Sequence, residues 1–157
     1  KERPSVILQK VRFDLWSFFM ALMTPKQIKE FLDRPLVAHL TSLREDGSAH
    51  TVPVWYQYDD ARFYVFTPSQ SVKIINLKRD PRLTISIASQ EEPYRYVVGS
   101  GIAVFKVAGS LKRRTAIATR YRGETAGAAF VQAVDIEYGN STIVMLAPTR
   151  LTTWIDE

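Results

Sequence analysis

The residues best placed to do chemistry lie between Thr67 and Arg82. Thr67, Ser69 and Ser71 put hydroxyls where a β-rich run, RFYVFT, gives way to the helical pattern SVKIINLKRD, and Lys73 falls in that helix's first turn. A helix N-terminus carries free N–H groups and the positive end of the peptide dipole, so hydroxyls and one ammonium there would form a compact phosphate site. The same residues have a purely structural use, because Thr67 or Ser69 could cap the helix without any ligand. Further on, Lys78, Arg79 and Arg82 gather around Asp80-Pro81. Cations suit a helix C-terminus and Asp80 can pair locally, or the three could meet further anionic groups of a ligand.

Little else in the chain suggests chemistry. There are no cysteines, which excludes disulfides, thiolate nucleophiles and Cys-ligated metals. The two histidines, His39 and His50, have no carboxylates at ligating spacing, so no metal site is expected. No nucleophile elbow, Walker loop, dinucleotide fingerprint or HExxH occurs. The pairs Asp59/Asp60 and Glu91/Glu92 sit in turn sequences, where solvated charge explains them. A net charge of +5 favours anionic partners. The basic residues are dispersed, however, and no nucleic-acid-reading element is recognisable, so a small anionic ligand is expected rather than DNA or RNA.

The 157 residues suit one domain with a real core. Residues 1–23 read as an N-terminal extension; its apolar part, FDLWSFFMALM, is too short to span a membrane and lacks a cleavage pattern. It reads as a packing helix or a partner-contacting arm of a cytoplasmic protein. Thr24-Pro25-Lys26-Gln27 opens a helix with a capping box and a proline at its first position. Strands are expected over 36–43 and 48–57, joined by the turn Arg44-Glu45-Asp46-Gly47. A strand over 62–67 leads into the helix that Pro81 halts, with Val72, Ile75 and Asn76 expected on one side. The next strands are 82–88 and 94–107, the second long enough to need a bend at Gly99 and Gly101. A helix from Ser110 ends at Gly123, a small-residue segment over 124–133 reads as its helical continuation, and two strands flank Pro148. The expected fold is mainly β (α+β), an antiparallel barrel of about six or seven strands with a few short helices; that the barrel is a split β-barrel is what the resemblance below implies.

Four segments in order, LTSLREDG, PVWY, K-x-x-N-L-x-R-D-P-R from Lys73, and PYRYVVGSGIA, resemble the pyridoxamine 5′-phosphate oxidase-like FMN-binding split β-barrel superfamily, closest to its F420-dependent oxidoreductase branch. The resemblance covers residues 24–157. It implies a flavin or deazaflavin cofactor, F420 or FMN, with Thr67, Ser71 and Lys73 at its phosphate. It also implies Thr51, Val52, Pro53, Val54 and Trp55 as contacts of its ring. Lys78, Arg79 or Arg82 would meet the extra carboxylates of an F420 tail. Family oxidases usually place an arginine just before the lysine, whereas this chain has Val72; its end, LTTWIDE, lacks the Arg-Leu-x-Pro of true vitamin B6 oxidases.

What the resemblance implies is hydride transfer to or from a small organic substrate, in a homodimer with the cofactor at the interface. The same residues would also serve a non-catalytic carrier of flavin, F420 or a tetrapyrrole.

Overall fold

A computed structural model describes residues 22–106 and 110–156. Residues 1–21 fall outside this range, and with them most of the N-terminal arm. The chain runs α1 (Pro25–Leu32), β1 (Ala38–Leu43), β2 (Ala49–Val54), β3 (Gln57–Asp59), β4 (Arg62–Pro68), α2 (Val72–Arg79), β5 (Arg82–Ala88) and β6 (Arg95–Lys106). It continues with α3 (Ser110–Arg122), α4 (Glu124–Tyr138), β7 (Ser141–Leu146) and β8 (Arg150–Ile155). Seven strands follow the order β2-β1-β5-β6-β7-β4-β3, and β8 pairs β6 off that path. Every pairing is antiparallel, as expected for a split barrel.

The twelve-residue β6 joins the two halves of this barrel. One edge follows β5, from Tyr96 opposite Ala88 to Ile102 opposite Arg82. Its other edge is shared: Arg95–Ser100 pairs β8, while Ala103 to Lys106 pairs β7. β7 and β8 thus lie end to end along one strand, interrupted at Pro148, which has no N–H to give a ladder. The hand-over falls at Gly99 and Gly101. A Cβ on Gly99 would stand 3.0 Å from Phe63, and one on Gly101 would stand 3.1 Å from the Ala147 carbonyl oxygen. Backbone and core approach too closely there for a side chain, which is the reason for the two glycines.

The core fills the barrel with alternate residues of its strands, including Leu40, Phe63, Val65, Ile85, Ile87, Val97, Val144 and Leu146. The capping box at Thr24 is present, and α1 buries Phe31 and Leu32 completely.

Three expectations need correction. The strand expected over 48–57 is two strands, because Trp55 and Tyr56 leave the ladder. Tyr56 is fully buried and its hydroxyl donates to the Leu32 and Arg34 carbonyls, whereas Trp55 stacks on Tyr121. Neighbouring side chains claimed by different layers break the strand. The buried residues of α2 are Ile74, Asn76 and Leu77, while Val72 and Ile75 are exposed. The helix carries two apolar pairs at i, i+3 spacing, and contact with β1 selects one: Asn76 Nδ2 donates to Ser42 Oγ at 3.2 Å. Finally, α4 runs to Tyr138, where Gly139 at φ 72° stops it.

Helices α3 and α4 form a hairpin packed on the outer side of β4 and β7, with Phe130 against Trp55 and Phe66. Their closest approach is at Gly127, where a Cβ would lie 2.6 Å from the Thr119 backbone nitrogen. Gly127→Ala therefore forces the helices apart. The expected loss is about 1–3 kcal/mol of stability despite alanine's better helix propensity, read as a lowered urea midpoint with unchanged slope.

Candidate functional site

β4 ends and α2 begins within a few residues, and the hydroxyl-bearing side chains meet there. Thr67 points inward and is only 4% exposed, and its Oγ1 lies 3.3 Å from Ser71 Oγ. Ser71 is the N-cap residue, in extended conformation, yet its side chain makes no capping bond. Neither Thr67 nor Ser69 takes that place. The Ser71 carbonyl accepts from Ile74 and Ile75, so the N–H groups of Val72 and Lys73 precede the helical ladder. The Ser69 N–H donates to the Asn140 carbonyl at 2.9 Å, tying the loop to the turn between α4 and β7.

Lys73 is half-buried, and burial pushes its ammonium below the ordinary lysine range. No carboxylate among the described residues lies within salt-bridge distance of it. Lys73 thus puts a partly desolvated cation in the first turn of α2, whose leading N–H groups precede the ladder.

The later cations behave differently. Arg79 Nη2 donates to the Leu43 carbonyl at 2.5 Å, which ties α2 to the end of β1. Arg82 makes a fork with Asp80, with Nε at 2.9 Å and Nη2 at 2.6 Å, and this pairing lowers the Asp80 carboxyl to about 2. Lys78 is exposed, with no partner among the described residues.

The residues expected at the ring divide by strand alternation. Thr51 and Pro53 face outward on β2 and are exposed, while Val54 belongs to the core and Val52 packs against it. Only backbone atoms of Val52 and Val54 are available to a ligand on the outer face. Trp55 lies in the hairpin packing: its ring stacks on Tyr121 at 5.0 Å, with the Arg122 guanidinium 5.4 Å from its centroid.

That outer face has a feature visible only once the registers are known. Thr51, Thr41, Thr84, Ser100 and Arg150 stand in line across β2, β1, β5, β6 and β8. Thr41 and Thr51 share a hydrogen bond of 2.9 Å, and Thr84 and Ser100 one of 3.1 Å. The adjacent line begins Pro53, His39, Ser86, Val98. The sequence showed these residues only as scattered polar positions within separate strands.

Eight antiparallel strands arranged around a shared β6, with helices on the outside, define the split β-barrel class. The chain belongs to the pyridoxamine 5′-phosphate oxidase family, whose model matches residues 24–155. No curated protein matches the sequence. Among solved structures it is similar to the conserved hypothetical protein Rv2991 from Mycobacterium tuberculosis, with 24% identity and a TM-score of 0.73 over 85% of this chain and 86% of that one. An F420 reductase shares 22% identity with a TM-score of 0.63, covering 79% of this chain and 94% of that one. HutZ, a heme storage protein from Vibrio cholerae, shares 12% with a TM-score of 0.66, covering 83% and 94%. Identities this low carry the shared fold and nothing finer. Proteins that share this fold thus include ones named for redox chemistry and for storage.

The depressed Lys73 has a measurable consequence. An anion needs the protonated amine, so affinity at this junction falls as pH rises through the lowered Lys73 value, earlier than an ordinary lysine would allow. With carbon-labelled, dimethylated lysines followed by NMR, Lys73 is expected to titrate below the ordinary lysine range, and inorganic phosphate should move it back upward.

Proposed function

We propose that this chain is an oxidoreductase that holds F420 or FMN and passes a hydride between it and a small organic substrate. The observation that carries this reading is the junction itself: Lys73 is partly desolvated without a carboxylate, next to the unladdered N–H groups of Val72 and Lys73 and the Thr67–Ser71 hydroxyl pair. Donors of this kind suit the charge of a phosphate monoester or diester.

The bound cofactor supplies the hydride chemistry, and the protein supplies position and electrostatics. Lys73, Ser71 and Thr67 hold the phosphate. The outward Thr51 and Pro53, with the free edge of β2, flank the ring. No group of three or more His, Asp or Glu side chains placed to hold a metal occurs among the described residues, and hydride transfer from a cofactor requires none. F420 is the first choice because the exposed Lys78 stands at the far end of α2 to meet a tail carboxylate; Arg79 and Arg82 would first have to leave their present partners.

The active form in this reading is a homodimer with the cofactor near the interface. Exposed Val72, Ile75, Ile102 and Val104 provide apolar surface for it. A carrier of the same ligand uses the same site, and turnover distinguishes the two.

Absorbance and fluorescence titrations with FMN and with F420, run separately, test the reading. Micromolar binding of one of them is expected, followed by consumption of its reduced form with a panel of quinones and unsaturated esters. Lys73→Ala should weaken binding by roughly tenfold or more, the loss of one charge-assisted contact. If neither cofactor binds, the proposal fails; binding without turnover across the panel leaves the carrier.

A further inference from the structure

The outer sheet face continues past its threonine line. Beyond Thr51 and Thr41 come Pro53 and His39 as cross-strand partners, and beyond them the exposed Val37 and Ala88. There a cleft of about 530 Å³ opens between the α1–β1 connection, β1 and the turn after β5. Leu36, Val37 and Ala88 give it an apolar wall, and Arg34 and Glu91 a charged rim. His39 lines it from the side of Pro53.

His39 is the unusual member. Its neighbours on β1 pair their side chains, Thr41 with Thr51 and Ser42 with Asn76, whereas the exposed imidazole makes no hydrogen bond among the described residues. The chain's other histidine, His50, lies on the opposite side of β2 with its Nδ1 buried. The outer face therefore presents a single imidazole, the side chain best suited to pass protons near neutral pH. The charged groups lining the cleft with it are Arg34 and Glu91, and Tyr96, opposite Ala88 on β6, is a further titratable group on that row. Arg34 keeps its proton. It meets Glu91 only at 3.8 Å, beyond hydrogen-bond length, so its donors are open to a ligand.

We propose that this cleft receives a flat, conjugated carbonyl compound, an enone or a quinone, and that His39 gives it the proton that accompanies the hydride. The proposal rests on the reading of Thr51 and Pro53 as flanking the cofactor ring. Side chains of directly opposed residues in an antiparallel pair stand about 5 Å apart, so a ring over Pro53 and the imidazole of His39 reach one bound molecule. A hydride accepted from the reduced flavin or deazaflavin forms a C–H bond on the acceptor, and the cofactor is oxidised by two electrons. The acceptor's π bond breaks, leaving negative charge on its carbonyl oxygen. The N–H of the His39 imidazolium breaks as an O–H forms there, and water restores the proton to the imidazole. The apolar wall suits the hydrocarbon part of such a molecule, and the open Arg34 donors suit an oxygen at its far end. The volume lies within the range of small-molecule sites.

The test has two arms. In the first, the full chain without cofactor carries labelled histidine, and the His39 signal is assigned as the one missing from His39→Gln. Menadione or cyclohexenone should move the His39 signal saturably at concentrations below about 1 mM and leave His50 in place. If neither compound moves it, the cleft is not the acceptor site. In the second arm, whichever of FMN and F420 binds is reduced in place, and a single hydride transfer to the acceptor is followed with the cofactor already bound. The wild-type rate should fall as pH rises and show a solvent deuterium effect. His39→Gln should slow that step by roughly a hundredfold and lose both signatures, with cofactor affinity held within roughly threefold. A His39→Gln rate and pH profile equal to the wild type's overturn the proton step. Should His39→Gln fail to fold by circular dichroism, His39→Asn takes its place. If neither FMN nor F420 binds, the oxidoreductase reading falls and the proton step with it, while the histidine titration still decides the cleft.

Discussion

A buried strand must hydrogen-bond along both edges, and the length of β6 makes that requirement the organising constraint of this fold. At twelve residues it outruns any single partner on one side, so β8 serves its first half and β7 its second. The change of partner needs a bend, the bend needs backbone close to the core, and Gly99 and Gly101 permit that approach. From this hand-over follow the two sheets, the break at Pro148, and the placement of β4 beside β7. The carboxyl end of β4, where the Thr67 hydroxyl sits, is therefore positioned by a strand far away in sequence.

A second requirement, the satisfaction of helix-end carbonyls, fixes the outer layer. The Leu32 carbonyl at the end of α1 accepts the Tyr56 hydroxyl at 3.1 Å and Arg120 Nη2 at 2.5 Å, and the Arg34 carbonyl takes both donors too. Burial raises the Tyr56 hydroxyl well above its ordinary range, which keeps it a donor. Tyr121 adds a bond of 2.7 Å to the Leu36 carbonyl and accepts the Tyr56 N–H. These bonds pin α3 against the α1–β1 connection. They leave Trp55 inside the hairpin packing and the outer face of β1, β2 and β5 uncovered by it.

Charge is balanced differently on the two sides of the β4–α2 loop. At the β4–α2 junction a partly desolvated lysine has no carboxylate partner among the described residues, and its charge is lost when the amine deprotonates. On the hairpin side, Arg114 and Asp135 already neutralise each other. The loop at Ser69 lies between them, bonded to Asn140 on the hairpin side and leading into Ser71 on the other.

Local chemistry made much of this protein legible from its residues alone. The capping box at Thr24, the glycine turn at Gly47, the stop at Pro81 and the strand alternation depend on contacts within a few positions, and all of them stand. The meeting of the Thr67 and Ser71 hydroxyls was legible for the same reason, since strand end and helix start are adjacent in the chain. Tertiary packing decided the rest. Which apolar pair of α2 turns inward depends on Ser42, more than thirty positions away, and the fate of Trp55 depends on α3. The threonine line across the outer sheet and the Arg114–Asp135 pair exist only through strand register and helix crossing. Short-range spacing determines what a segment can become; long-range partners, which must be found before their hydrogen bonds and packing count, determine what its side chains touch.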